Sequence, residues 1–141
     1  MIDVCGGPRM DVLVGRVDAA HADPENMIPA ETLSSKELSA TFARMGLSLR
    51  DMIALSGSHT LGAKGFGDPL TFDNQYYKTL LEKPWESQDA MKQMIGIASD
   101  HVLPDDPTCR PIIQEFAANG DAFYEAFTQG YAKLTQLGYA S

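Results

Sequence analysis

Two Ser-x-x-acid sequences, Ser34-Ser35-Lys36-Glu37 and Ser48-Leu49-Arg50-Asp51, stand on either side of Gly46 and constrain the fold more than any other feature of the chain. Each has the form of a capping box, in which a serine and the acid three residues on satisfy each other's free backbone N–H groups at a helix start. The first predicts a helix running to about Met45, with Leu33 stapled against Leu38 and an apolar face of Leu38, Phe42 and Met45. The second predicts a helix with Leu49, Met52, Ile53 and Leu55 on one face, ended at Gly57. The short Gly46-Leu47 turn between them brings the second helix back beside the first, so the pair forms a helical hairpin.

The rest of the chain continues in the same manner. Tyr76, Tyr77, Leu80 and Leu81 have helical spacing over residues 73–83, with Pro84 marking the end, and the two tyrosines read as core. Residues 86–98 fit either a short helix through Met91, Met94 and Ile95 or a short strand at Ile95-Gly96-Ile97. Asp106, with Pro107 at the first helical position, opens a helix buried through Ile112, Ile113 and Phe116 and ended at Asn119-Gly120. Asp121 caps the last helix, whose stripe of Phe123, Phe127, Leu134 and Leu137 runs to Gly138. Residues 5–18 lack a helical period and read as loop with a short strand over residues 11–14, followed by an acidic, Pro-containing stretch from Ala19 to Pro29. The fold class is all-α, mainly helical, in one domain.

Composition narrows the function. A net charge of −8 and no cluster of Lys and Arg argue against a nucleic-acid surface. No apolar run approaches the roughly 20 residues needed to span a bilayer, and the start of the chain has neither a basic nor an apolar signal region. Two cysteines, Cys5 and Cys109, are too few for a disulfide framework and suit a reducing, intracellular compartment; Cys109 reads as a small apolar residue on a helix.

The chemistry centres on Leu55-Ser56-Gly57-Ser58-His59-Thr60-Leu61-Gly62. A histidine just past a helix end, beside glycines that let the backbone turn, can face its imidazole into a cavity as a metal ligand. Gly62-Ala63-Lys64-Gly65-Phe66-Gly67 lacks the order of a phosphate loop, and Ser58 completes no G-x-S-x-G elbow, so nucleotide binding and serine hydrolysis are unsupported. Taken by themselves, Asp100 reads as a helix cap or surface acid, His101 as a competing ligand, His21 as an exposed loop residue and Asp73 as the cap of its helix. A non-haem metal on His59 and Asp100 would lack further suitably spaced ligands.

Residues 51–62, Asp-Met-Ile-Ala-Leu-Ser-Gly-Ser-His-Thr-Leu-Gly, resemble the proximal haem-ligand signature of the plant and microbial haem peroxidases. Phe72-Asp73-Asn74-Gln75-Tyr76-Tyr77, Ser99-Asp100, Asp106-Pro107 with Arg110-Pro111, and Leu134-Thr135-Gln136-Leu137-Gly138-Tyr139 resemble, in order, its intracellular ascorbate-peroxidase branch. The resemblance implies the proximal haem-side half of that fold. It also implies haem b with His59 as axial ligand, Asp100 as acceptor of the imidazole Nδ1–H, and a K+ or Ca2+ site at Thr60, Thr71 and Asp73. Gly15 and Arg16, in a segment similar to the family's Gly-Gly-Pro…Gly-Arg-x-Asp, would lie on the haem side; the alternative is a surface loop with Arg16 solvated or paired with Asp18. The implied reaction is reduction of hydrogen peroxide by a small-molecule electron donor in the response to oxidative stress, in the plastid or cytoplasm.

The sequence also departs from the family pattern. Gly67-Asp68-Pro69-Leu70-Thr71 stands where the family has Gly-Pro-Trp-Thr, so the tryptophan near the proximal histidine is missing, and the loop carrying the ascorbate-contacting arginine is shortened to Ala63-Lys64-Gly65-Phe66. No segment matches the distal Arg-x-x-aromatic-His. The expectation is therefore a C-terminal proximal half without its distal part, weak or inactive alone. The alternative is a non-catalytic helical scaffold without stable haem, self-associating or holding a partner through an uncovered apolar face.

Overall fold

A computed structural model of the chain describes residues 1–25, 27–62, 67–82 and 97–138. Regular structure among them is entirely helical: α1 (Ser35–Arg44), α2 (Leu49–Ser56), α3 (Gln75–Leu81), α4 (Ala98–His101), α5 (Arg110–Ala118) and α6 (Gly120–Leu134). Short 3-10 turns lie at Asp3–Cys5, Gly57–Thr60 and Leu103–Asp105. The all-α expectation holds. The strand expected over residues 11–14 does not form: Val12 and Val14 are exposed, and no strand among the described residues lies beside them. The ambiguous stretch from Glu86 to Gly96, the Lys83-Pro84 helix end, Trp85, the loop Ala63-Lys64-Gly65-Phe66 and Tyr139 lie outside the described residues.

Both capping boxes are present. Ser34 accepts from the Glu37 N–H and Glu37 accepts from the Ser34 N–H, and Ser48 and Asp51 do the same at the start of α2. Gly46, at φ 78°, makes the turn between them in a conformation that favours glycine. Three other helix starts differ from the sequence expectation. Asn119, not Asp121, caps α6, because its Oδ1 reaches the N–H groups of Asp121 and Ala122. Asn74, not Asp73, is the residue before α3; the Asn74 amide instead donates to the carbonyls of Phe116 and Ala117, tying α3 to the end of α5. Regular α5 begins at Arg110, not Pro107, although the Arg110 N–H already donates to the Asp106 carbonyl. Asp106 Oδ1 meanwhile collects the Thr108 N–H and hydroxyl, and Oδ2 accepts from Ser35 of α1.

The core is organised around α2, where Met52, Ile53 and Ala54 are fully buried. Each large apolar side chain so buried contributes about 1.5–3 kcal/mol. α6 crosses α2 closely because Ala126 and Gly130 are small; a Cβ on Gly130 would already lie 3.5 Å from the Asp51 Cα. The same contact carries an ion pair, Lys133 Nζ to Asp51 Oδ2 at 2.8 Å. α3 packs on α5 through a run of aromatic edges, with Tyr76–Tyr77 ring centroids 5.0 Å apart and Tyr77–Phe116 5.2 Å. The expected α6 stripe is half right: Phe123 and Phe127 are buried, but Leu134 and Leu137 are each 38% exposed, since α6 ends at Leu134. Cys109 is buried among these side chains, and burial pushes its thiol up to about 11, so it behaves as the apolar filler expected.

Candidate functional site

α2 does not end in a left-handed glycine. Gly57 has φ −62° and leads directly into the 3-10 turn Gly57–Thr60, which carries His59. Glycine is needed there for space, since a Cβ would collide with the Tyr77 hydroxyl and lie 2.6 Å from the Phe123 ring. The turn is thereby pressed onto α3 and α6, and the His59 ring is held at its rim with 34% of the side chain exposed.

Asp100, on the one-turn helix α4, is 2% exposed and faces His59. Nδ1 of the imidazole donates to the carboxylate, lying 3.0 Å from Oδ1 and 2.9 Å from Oδ2. Two more donors converge on the same group: the Tyr76 hydroxyl at 2.6 Å from Oδ1 and the Ile97 N–H at 2.9 Å from Oδ2. A carboxylate removed from water is tolerated only when its lone pairs are engaged in this way. Burial first, then the negative charge of Asp100, pushes the Tyr76 phenol well above its ordinary value, which keeps it a neutral O–H donor.

With Nδ1 engaged, Nε2 is the ring nitrogen left to bind a ligand. His59 lines an open cavity of about 200 Å³ whose walls include Leu38, Phe42, Leu55 and Ile97. Its rim is formed by residues 29–31, tied down by the Ser99 N–H donating to the Glu31 carbonyl at 2.9 Å. A site that encloses a small molecule commonly holds roughly 300–1,000 Å³, so this cavity is too small to enclose a large ligand by itself. The donor set fits haem: one imidazole nitrogen for the iron, an anionic partner behind it, and apolar walls.

The remaining candidates fall elsewhere. Thr60 Oγ1 donates to Asp73 Oδ1 at 2.8 Å, and the Gln75 N–H donates to the same oxygen, so Thr60 and Asp73 are brought together. The Thr71 hydroxyl donates instead to Asp68. Gly15 and Arg16 are exposed and do not line the cavity, His21 is exposed, and His101 is half-buried beside Asp100. Among the described residues, no group of three His, Cys, Asp or Glu side chains could hold a metal ion. The sequence reading missed Tyr76 and Ile97 as partners of Asp100. Helical spacing marks Tyr76 and Tyr77 equally as core and carries no signal of which hydroxyl meets the acid.

A family model described as peroxidase matches residues 1–119. The chain belongs to the haem peroxidase family. Within that family it is 49% identical over 97% of its length to "Putative L-ascorbate peroxidase 6" of Arabidopsis thaliana, of which it covers 42%. It is 36% identical over 99% of its length to "L-ascorbate peroxidase 2, cytosolic" of the same plant, and 37% identical to the protein of that name in Oryza sativa subsp. japonica, covering 57% of each. The chain thus spans about half the length of these curated peroxidase relatives. No helix among its described residues is long and apolar enough to cross a membrane.

Proposed function

We propose that this chain forms the proximal side of a haem peroxidase site, with His59 binding the iron of haem b through Nε2. The observation that carries the reading is the pairing of His59 Nδ1 with buried Asp100, which orients the ring and leaves the other nitrogen for a ligand. Haem, when bound, supplies the redox chemistry by which a peroxidase reduces hydrogen peroxide at the expense of a small-molecule electron donor. Asp100 would strengthen electron donation by the imidazole, while Leu38, Phe42, Leu55 and Ile97 would give the ligand apolar walls. Thr60 and Asp73 would contribute to a neighbouring K+ or Ca2+ site. Gly15 and Arg16 receive no role in this reading.

The physiological setting proposed is an intracellular response to oxidative stress. The relatives named cytosolic support that compartment, and none of those reported above is named for the plastid. No Arg-x-x-aromatic-His segment occurs in the sequence. General acid–base catalysis on the opposite face, typically about 10²–10⁴-fold, therefore has no assigned residue here, and this polypeptide alone is expected to turn over peroxide slowly.

The test is haemin titration of the parent chain and of His59→Ala. A Soret shift in the parent that is lost in the variant supports axial ligation, and equal shifts in both remove His59 from the role. A second reading, a non-catalytic helical scaffold without stable haem, is favoured by the exposure of Val12, Leu13, Val14, Val17 and Ile28. No haem-dependent shift in the parent would support that reading.

A further inference from the structure

We infer that Tyr76 is a positioning residue that sets how strongly Asp100 draws on the His59 Nδ1 proton, and so limits the electron donation of the imidazole. The reduction-potential arm of this inference rests on the haem reading above; the hydrogen-bond arm does not.

Tyr76 and Tyr77 are neighbours on α3, both fully buried and both with satisfied hydroxyls, yet they use them differently. The Tyr77 hydroxyl donates to the backbone carbonyls of Ile53 and Ala54, which fastens α3 to α2. The Tyr76 hydroxyl donates at 2.6 Å to a buried carboxylate that also serves the histidine. A charge-assisted O–H···O⁻ bond of that length is among the stronger hydrogen bonds a protein makes. It withdraws negative charge from the oxygen pair that accepts Nδ1–H, because donors sharing one carboxylate compete for the same lone pairs.

Geometry gives Tyr76 two further holds. The Ile97 N–H and the Tyr76 hydroxyl pull on different oxygens of Asp100, and this fixes the carboxylate so that both oxygens face Nδ1 nearly equally. The Tyr76 ring also meets the imidazole edge-on, with centroids 6.1 Å apart and planes at 80°, which restrains rotation of His59 about its χ2 angle. Tyr76 therefore acts on the ligand-binding nitrogen without touching the ligand.

Tyr76→Phe keeps the ring and removes only the donor, so Asp100 becomes the stronger acceptor. The His59 Nδ1–H resonance in haem-free protein, followed by nitrogen-15 edited NMR, is expected to move downfield. The reduction potential of the haemin-loaded chain is expected to fall. Tyr77→Phe, which removes an equally buried hydroxyl that makes no hydrogen bond to Asp100, is expected to lose stability while leaving both readouts close to parent values. Replacement of Tyr76 by a ring-fluorinated tyrosine, a stronger donor of nearly unchanged shape, is expected to move the resonance upfield and raise the potential; it also serves if the phenylalanine variant does not fold. An unchanged or upfield resonance in Tyr76→Phe, an unchanged resonance in the fluorinated protein, or equal shifts in Tyr77→Phe would overturn the inference. Absence of a Soret shift in the parent would instead tell against the haem reading, because the NMR arm needs no haem.

Discussion

Gly57 lies so close to Phe123 that a single added methyl carbon would sit 2.6 Å from the aromatic ring. The turn carrying His59 is therefore located by α6, an element more than sixty residues away in the chain, as firmly as by α2, from which it continues. Gly57→Ala is expected to cost about 1–3 kcal/mol despite the better helix propensity of alanine, because the ring and the Tyr77 hydroxyl must move. It should also weaken haemin binding by shifting His59. Gly46→Ala provides the contrast: its strain comes from φ 78° with nothing nearby to collide with, so it should lower the urea midpoint but leave the Soret response unchanged.

Asp100→Asn separates charge from shape. The amide oxygen still accepts hydrogen bonds, but the anion behind the imidazole is gone and the amide N–H₂ must face a donor. Haemin is expected to bind, with an altered ferric spin state and a higher reduction potential than the parent. Spectra and potential identical to the parent would return Asp100 to a purely structural role.

The Asp51–Lys133 pair should respond asymmetrically to mutation. Asp51 is buried at 4% exposure, whereas the Lys133 side chain is 52% exposed, so removing either partner does different things. Burial of Asp51 alone would raise its pKa, but hydrogen bonds from Lys133 and Ser48 outweigh that and hold it below the usual carboxylate range. Lys133→Ala is expected to cost about 1 kcal/mol, because water can reach part of the vacated space. Asp51→Ala also removes the α2 cap and is expected to cost about 2–3 kcal/mol. Chemical denaturation of both singles and the double variant would test the order; a larger loss for Lys133→Ala would contradict it.

Asp106 predicts part of the acid limb of stability. Hydrogen bonds from Thr108 and from Ser35 depress its pKa to about 2 from a reference of 3.8. Because the folded value is the lower one, its contribution is fully present above about pH 4 and is lost as the pH falls through about 2. Discounted for solvent access, that contribution is about 1 kcal/mol. Asp106→Asn should therefore be less stable than the parent at pH 6, and the gap should close by pH 2 in urea titrations. A gap that is constant with pH would mean the anion contributes nothing.

What the sequence by itself determined was local. The Ser34–Glu37 and Ser48–Asp51 boxes and the Gly46 turn act within four residues, and they appear in the structure as read. Asp121 and Asp73 are not the residues that immediately precede α6 and α3, because an Asn or Asp near a helix start has several N–H groups or distant partners within reach. Only packing decides which one it takes. The candidate site divides in the same way. His59 was legible through its motif and its place after an amphipathic helix, but the convergence of Tyr76 and Ile97 on Asp100 was not. A hydrogen bond between residues 24 or 41 positions apart leaves no periodic trace. It exists because α3, α4 and the His59 turn are pressed together by a core built from α2, α5 and α6, and that arrangement is a property of the tertiary structure alone.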